Sequence, residues 1–228
     1  AVRGVSDTCK KMKLKDHPDS PTPIIAGNVS FYNESKSGSI PPSPIVSCLG
    51  KINDISNVIT MSFKSPGSKI FMVGKRKDEL GGSLYYSLHK ELGANVPNPN
   101  IDEVKDQIYA ITDSIDSNLV NACHDISDGG VAVTLSEMTF ENNIGCSVNI
   151  PGKLSVEKLL FSETGGFIIE IINSNVDEIK AIFQSYNLEI DLIGETTKEK
   201  YIKINNKIDL NTEEAKELWL NGLRDKIK

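Results

Sequence analysis

NACHDISDGGVAV, residues 121–133, contains the turn on which the fold prediction rests. The apolar residues before His124 are typical of a strand, and those that follow Gly130 are spaced as on one face of a helix. The glycine pair at the junction lets the backbone approach the sheet or a ligand closely. Ser127 or Asp128 is predicted to accept hydrogen bonds from the free N–H groups of the helix's first turn. The segment therefore predicts a strand, a tight turn and a helix.

The same alternation continues on both sides of this turn. Residues 69–75, KIFMVGK, have the mostly apolar composition of a short strand buried on both faces. Residues 102–117 place valine and isoleucine at helical spacing. Further strands are predicted at 146–150, 166–172, 188–196 and 200–204, and further helices at 175–186 and 211–223, the last capped by Asn211 or Thr212. Strands and helices that alternate without a repeat predict an α+β sandwich built on one sheet.

The N-terminal quarter is organised differently. In AVRGVSDTCKKM, apolar residues recur at helical spacing from the second residue onwards, and no initiator methionine precedes them. The chain is therefore interpreted as a fragment or one half of a longer chain. Three prolines between residues 14 and 23 exclude helix and sheet interiors. Residues 24–31 and 44–52 are predicted as two paired strands, and a domain boundary is placed near residue 53.

Composition excludes several classes of partner. A formal charge of −6 at pH 7 argues against nucleic acid or an anionic membrane as the main partner, since a polyanion requires a clustered basic surface. No apolar run reaches the roughly 18–20 residues of a membrane span, and no signal peptide is recognisable. The four cysteines form no CxxC pair and are interpreted as buried free thiols in a reducing cytoplasm.

His124, Asp125, Ser127 and Asp128 allow three interpretations: a hydrolytic triad, a set of metal ligands, or a structural turn. The triad is disfavoured because neighbouring residues of a strand point to opposite faces, so His124 and Asp125 should not pair. No GxSxG nucleophile elbow is present either. A structural turn, and a cleft-lining or metal-contacting role for Asp125, both stay open. His124 is predicted to orient the turn or to bond a backbone carbonyl.

AGNVSFYNES, residues 26–35, suggests a second site. Gly27 interrupts an apolar strand, where glycine weakens β structure unless something must come close. Asn28 and Ser30 are two residues apart and should project from one face of that strand. An amide oxygen beside a hydroxyl suits a hydrated Mg²⁺ and a phosphate. The alternative is an edge strand with a polar face towards solvent.

Considered together, these motifs resemble the synthetase subunit of the phosphoribosylformylglycinamidine synthase family, in its small bacterial or archaeal form. The matching stretches are GVSDTCKKM, PIIAGNVSFYNES, PPSPIVSCLGKI, ELGGSLY, NACHDISDGGVAVTLSEM and LLFSE. Chains of that family hold two tandem copies of an N-terminal-type and a C-terminal-type domain. The resemblance implies that residues 1–53 end the second N-terminal-type, ATP-binding domain. It implies that residues 54–228 form the second C-terminal-type domain, an α/β/α sandwich.

The resemblance also implies an activity and its partners. The family converts formylglycinamide ribonucleotide and ammonia to formylglycinamidine ribonucleotide in purine biosynthesis, with ATP and Mg²⁺. The ammonia comes from glutamine through a separate glutaminase subunit, aided by a small third subunit. The N-terminal half of the enzyme would be a further partner, and the chain alone would be inactive.

Matched position by position, the resemblance implies four site residues. Gly27 corresponds to a nucleotide-contacting glycine, Asn28 to a magnesium ligand and Ser30 to a contact with formylglycinamide ribonucleotide. Asp125 corresponds to a magnesium ligand at an auxiliary, structural nucleotide. No catalytic residue is assigned, because the family's catalytic histidine belongs to the first half. SETGGF, residues 162–167, departs from the family's SESQSRF, which puts a ligand role for this segment in doubt.

Two other functions are compatible with the sequence. One is another ATP-using member of the same superfamily, such as a selenophosphate synthetase, a hydrogenase-maturation protein or a thiamine-phosphate kinase. The other is a non-catalytic dimerisation or ligand-binding module. For the synthetase itself, the unpaired apolar sheet edge or face at residues 24–31 and 44–52 is expected to associate with a partner, and two copies joined there would mimic the family's paired N-terminal-type domains, which predicts a homodimer or a heterocomplex.

Overall fold

The computed structural model describes residues 1–15, 17–28, 30, 32–52 and 54–222. It divides the chain into two compact units, Ala1–Ile55 and Ser56–Lys228. The sequence places the boundary near residue 53, and the structure places it after Ile55. That the first unit is the end of an N-terminal-type domain stays a prediction.

The first unit contains one helix and two small hairpins. Helix α1 is Val2–Lys11, as the helical spacing predicts. Strands β1 (Lys13–Leu14) and β2 (His17–Pro21) pair antiparallel, and β3 (Glu34–Ser35) pairs with β4 (Gly38–Ser39). The prolines of β2 are tolerated because a two-stranded sheet consists of edges only.

The two strands predicted at 24–31 and 44–52 are wrong for the residues that the structure describes there. Residues 22–28 and 40–52 belong to no strand, while Val29 and Phe31 lie outside the described residues. Ile25 and Ile45 expose 77% and 94% of their surface. A β-branched composition favours strand geometry only where a partner strand completes the hydrogen-bond ladder. Among the described residues of this unit, no strand pairs with these two segments.

The second unit contains the remaining elements. Its strands are β5 (Lys69–Val73), β6 (Ala122–Asp125), β7 (Gly145–Val148), β8 (Phe167–Ile171), β9 (Ile190–Thr197), β10 (Tyr201–Ile204) and β11 (Ile208–Asn211). Its helices are α2 (Leu84–Leu88), α3 (Ile101–Asp116), α4 (Gly130–Met138), α5 (Val156–Phe161), α6 (Val176–Ser185) and α7 (Thr212–Asn221). Short 3-10 turns occur at Ile55–Asn57, on the unit boundary, and at Asn173–Asn175.

All seven strands of the second unit form one sheet in the order β11-β10-β7-β9-β5-β8-β6. Neighbouring strands are antiparallel except β7 and β10, which are parallel. The sheet separates two apolar cores. Ile70 and Met72 of β5 contribute to the core that α4, α5 and α7 cover, and Phe71 and Val73 contribute to the core beneath α3 and α6. Helices on both faces of one sheet confirm the predicted α/β/α sandwich.

Most predicted elements of this unit are confirmed, with three differences. Helix α5 and strand β11 were not predicted, and α4 ends at Met138 rather than near residue 142. Asn211 caps α7 by accepting from the N–H groups of Glu213 and Glu214. All four cysteines are free, but Cys48 is exposed, so the prediction of four buried thiols is wrong.

A fully buried carboxylate anchors the segment before β5 to the sheet. Glu170 of β8 has no exposed surface, and its two oxygens accept from the N–H groups of Lys64, at 2.7 Å, and Ser65, at 3.0 Å. A buried charge is stable only where hydrogen bonds replace its hydration. Glu170 therefore fixes the chain that leads into the central strand.

We predict that Glu170→Ala lowers the free energy of unfolding by roughly 2–4 kcal/mol, because two charge-assisted hydrogen bonds are lost and their donors left unpaired. The matched control is Glu195→Ala in strand β9, which pairs with the other side of β5. Glu195 forms an ion pair with Lys69 at 2.8 Å, with 52% of its side chain exposed. Such a surface pair contributes less than about 1 kcal/mol. Equal losses for both variants in urea unfolding would contradict the assignment.

Candidate functional site

The turn between β6 and α4, residues 126–130, lies where the sequence predicts it. Gly129 and Gly130 both have positive φ angles, 79° and 66°, which residues with a side chain rarely adopt. A Cβ atom at Gly130 would lie 2.7 Å from the carbonyl oxygen of Leu160. The second glycine is thus required for close packing of α4 against the end of α5. The backbone does approach a neighbour closely at Gly130, but that neighbour is the end of α5, where the sequence predicts the sheet or a ligand.

The predicted cap of α4 is wrong. The residue at the N-cap position is Gly129 in a left-handed conformation, and no side chain of its own caps the helix. Ser127 contributes its backbone carbonyl, which accepts from the Gly130 N–H at 3.0 Å. Ser127 and Asp128 are both exposed. The reason is the extra glycine, which shifts the helix start by one residue beyond the polar side chains.

His124 is held between two carboxylates. Its Nδ1 atom lies 3.0 Å from Asp125 Oδ1, and its Nε2 atom lies 3.0 Å from Glu137 Oε2. The argument that His124 and Asp125 cannot pair is therefore wrong. Asp125 ends β6, so its side chain is free to turn back towards its neighbour, which strict strand alternation would not allow. The backbone-carbonyl partner predicted for His124 is replaced by Glu137 of α4.

This arrangement is not that of a hydrolytic triad. In a triad, one nitrogen of the histidine faces a carboxylate and the other faces a nucleophilic hydroxyl. Both nitrogens of His124 face carboxylates. The other oxygen of Glu137 accepts from the indole N–H of Trp219, at 2.9 Å. The network therefore ties the end of β6 to α4 and to the C-terminal helix α7, which supports a structural role for His124.

Cys123, which precedes the histidine, is not a reactive thiol. Burial and, to a smaller extent, the nearby charge of Asp125 together raise its pKa to about 12. The thiolate is the nucleophilic form of cysteine. At neutral pH Cys123 is protonated and serves the packing of β6.

Residues 162–166 form a strap beside the turn that the sequence did not assign. The guanidinium of Arg76 donates to the carbonyl oxygens of Thr164, at 2.5 Å, and Gly165, at 2.8 Å. The hydroxyl of Thr164 donates to Glu79 Oε2 at 2.7 Å. Burial lowers the pKa of Arg76 to about 10, although Glu79 opposes that shift. A buried arginine therefore holds the strap through its backbone carbonyls, which no spacing in the sequence indicates.

The second group of predicted site residues lies in the first unit. Gly27, Asn28 and Ser30 are exposed, and a Cβ atom at Gly27 would meet no atom within 4 Å. The carbonyl of Ser30 accepts from the side-chain amide of Asn33 at 2.7 Å. The described residues here form no strand, so the argument that Asn28 and Ser30 share one strand face has no support in this structure.

The described part of the chain offers neither a cluster of metal ligands nor a membrane-spanning helix. No group of three or more histidine, cysteine, aspartate or glutamate side chains could hold a metal ion there. No described helix is long and apolar enough to cross a membrane. Two carboxylates are open to solvent at the turn: Asp125, with 62% of its side chain exposed, and the exposed Asp128.

The fold and the turn together define a class of domain. Residues 65–206 match the family described as AIR synthase related protein, C-terminal domain, and the chain belongs to this family. The match covers β5 to β10, including the β6–α4 turn and the strap.

Curated relatives extend the similarity to the first unit. The chain is 41% identical, over its whole length, to the phosphoribosylformylglycinamidine synthase subunit PurL of Methanothrix thermoacetophila. It is 33% identical, over 98% of its length, to the subunit of the same name from Alkaliphilus metalliredigens. In each case the chain spans 30% of the relative's length.

Solved structures show the same fold. The structure of T. maritima PurL complexed with FGAR superposes with a TM-score of 0.63 at 16% identity, over 71% of this chain and 30% of that one. The structure of T. maritima PurL complexed with ATP gives a TM-score of 0.56 at 17% identity, over 71% and 28% of the two chains.

We predict that His124→Asn lowers the free energy of unfolding by roughly 1–3 kcal/mol, because the carboxylates of Asp125 and Glu137 both lose the imidazole that they contact. The matched control is His89→Asn, since His89 is exposed and contacts only the ring of Tyr85 among the described aromatic side chains. Thermal unfolding of both variants provides the measurement. If the two substitutions had the same effect, the network around His124 would not be structural.

Proposed function

We propose that this chain is the C-terminal portion of a phosphoribosylformylglycinamidine synthase synthetase subunit. The observation that carries the proposal is the 41% identity over the whole chain to a relative of that name. In the proposed reaction, ATP phosphorylates the amide oxygen of formylglycinamide ribonucleotide. Ammonia then displaces the phosphate, and the amidine product is formed.

Three residues of the first unit are proposed to contact ligands. Asn28 would supply an amide oxygen to the Mg²⁺ that accompanies ATP, Gly27 would allow the nucleotide to approach the backbone, and Ser30 would donate to the substrate. The exposure of all three and the open space at Gly27 support this assignment. Mg²⁺ prefers hard oxygen ligands and keeps waters and phosphate oxygens in its shell, so few protein ligands are needed. When bound, the cation would neutralise charge on the phosphoryl group being transferred.

Asp125 is proposed as a magnesium ligand at an auxiliary nucleotide. Its exposed carboxylate at the carboxyl end of β6 supports this role. One of its oxygens already contacts His124, which would orient the carboxylate towards a cation. No residue of this chain is proposed as catalytic.

The partners follow from the same proposal. They are the N-terminal portion of the same enzyme, a glutaminase subunit that supplies ammonia, and a small third subunit. The proposed location is the cytoplasm, where purine biosynthesis takes place and where four free thiols are stable. The net charge of −6 gives no support to a nucleic-acid or membrane partner.

We predict that Asn28→Leu in the complete enzyme lowers turnover more than tenfold without unfolding it. The loss of one electrostatic contact to a transferring phosphoryl group is commonly worth roughly 2–4 kcal/mol. Turnover is measured with an ammonium salt in place of the glutaminase. The matched control is Asn98→Leu, at an exposed asparagine of the loop before α3. Activity of the Asn28 variant within about twofold of wild type would remove Asn28 from the metal site.

We also predict that the 228-residue chain alone has no measurable turnover in that assay, and that it forms a homodimer. The exposed apolar side chains of residues 24–31 and 44–52, such as Ile25 and Ile45, favour association. Sizing chromatography with light scattering tests the second statement. A monomer would contradict the predicted homodimer, and turnover by this chain without its partners would contradict the predicted lack of activity.

A further inference from the structure

Glu163 bridges two segments that are far from it in sequence. Its Oε1 atom accepts from the backbone N–H of Leu84, at 2.8 Å, and from that of Gly129, at 2.9 Å. Leu84 is the first residue of α2, and Gly129 is the N-cap of α4. A single carboxylate oxygen therefore accepts a hydrogen bond at the N-terminal end of each of two helices.

Both helix ends have a physical requirement for this contact. The first N–H groups of a helix have no partner within the helix, and negative charge is favourable close to them. At α4 the capping position is occupied by Gly129, which has no side chain to accept a hydrogen bond. At α2 the hydroxyl of Ser83 accepts from Tyr86, and the N–H of Leu84 is left for Glu163. Glu163 supplies in both places an acceptor that the local sequence does not.

The strap that carries Glu163 is attached more firmly on its other side. Arg76 and Thr164 are 8% and 7% exposed, and they connect through the buried hydrogen bond to the Thr164 carbonyl. Ile126 N–H donates to the Gly166 carbonyl at 2.8 Å, next to the start of β8. Glu163 itself is half-buried, and its side chain contacts the two helix starts. The strap thus has a buried anchor and one accessible contact.

We propose that Glu163 is a latch that couples the β6–α4 turn to the start of α2, so that the two segments open together when its carboxylate is withdrawn. The hydrogen bonds of Leu84 and Gly129 share one acceptor atom, so that withdrawal of this atom removes both bonds at once. Because the turn begins directly after Asp125, the latch also sets the position of that carboxylate. The coupling follows from the contacts alone and does not depend on the proposed enzyme activity.

Amide hydrogen exchange of the 228-residue chain, resolved by residue, tests the latch. In Glu163→Ala we expect exchange at both Leu84 and Gly129 to accelerate at least tenfold, while the central strands β5 and β8 keep their protection. In Glu163→Gln, which retains a neutral acceptor of the same shape, we expect a smaller acceleration at the same two amides. The matched control is Glu178→Ala, at an exposed carboxylate in the first turn of α6, which should leave both amides unchanged.

Each other outcome would overturn the proposal. Acceleration at only one of the two amides would show that the segments are not coupled through Glu163. Equal acceleration in β5 and β8 would show a general loss of stability instead of local opening. Should the alanine variant not fold, the glutamine variant decides: acceleration at both amides supports the latch, and no change or a change at one amide contradicts it.

Discussion

The antiparallel pair of β5 and β8 in the middle of the sheet is the constraint on which the rest of the second unit depends. Its side chains alternate between two cores, and those of both strands are almost entirely buried. A strand buried on both faces needs apolar cover on each side, which α4, α5 and α7 provide on one face and α3 and α6 on the other. Glu170 is the fully buried charged residue of this pair, and its carboxylate accepts hydrogen bonds from backbone N–H groups of the segment that leads into β5.

The register of this pair also determines where the polar residues meet. Val73 at the end of β5 is paired with Phe167 at the start of β8, and Phe167 is paired with Asp125 at the end of β6. The end of β5, the start of β8 and the end of β6 consequently lie side by side, and three chain segments enter or leave the sheet there. Arg76 follows β5, the strap precedes β8, and the glycine turn follows β6. The arginine, the strap and the turn are neighbours because the strands that carry them are adjacent and antiparallel.

The sequence predicts what depends on local pattern. Local composition and spacing predict every strand of the second unit except β11, together with the helices α3, α6 and α7, and the glycine pair locates the turn. Contacts between residues that are distant in the sequence could not be predicted in this way. Glu163 lies 34 positions from Gly129 and 79 from Leu84, and nothing in its own neighbourhood indicates either partner. The strands predicted at 24–31 and 44–52 failed for the related reason that a strand is specified by its neighbour as much as by its own residues. The roles of Gly27, Asn28, Ser30 and Asp125 rest on resemblance, because each is an exposed residue whose function depends on a ligand.

The strand order has a consequence for the synthesis of the protein. Strand β5 is the first strand of the seven-stranded sheet to be synthesised, yet its partners β8 and β9 lie about a hundred or more residues later in the chain. On the ribosome, the apolar segment KIFMV must therefore wait for most of the domain to emerge before its backbone can pair. Long-range pairing of this kind is slow, and an apolar segment without a partner is prone to aggregate in the meantime. The hydrogen bonds that hold Lys64 and Ser65 to Glu170 can likewise form only when β8 has been translated.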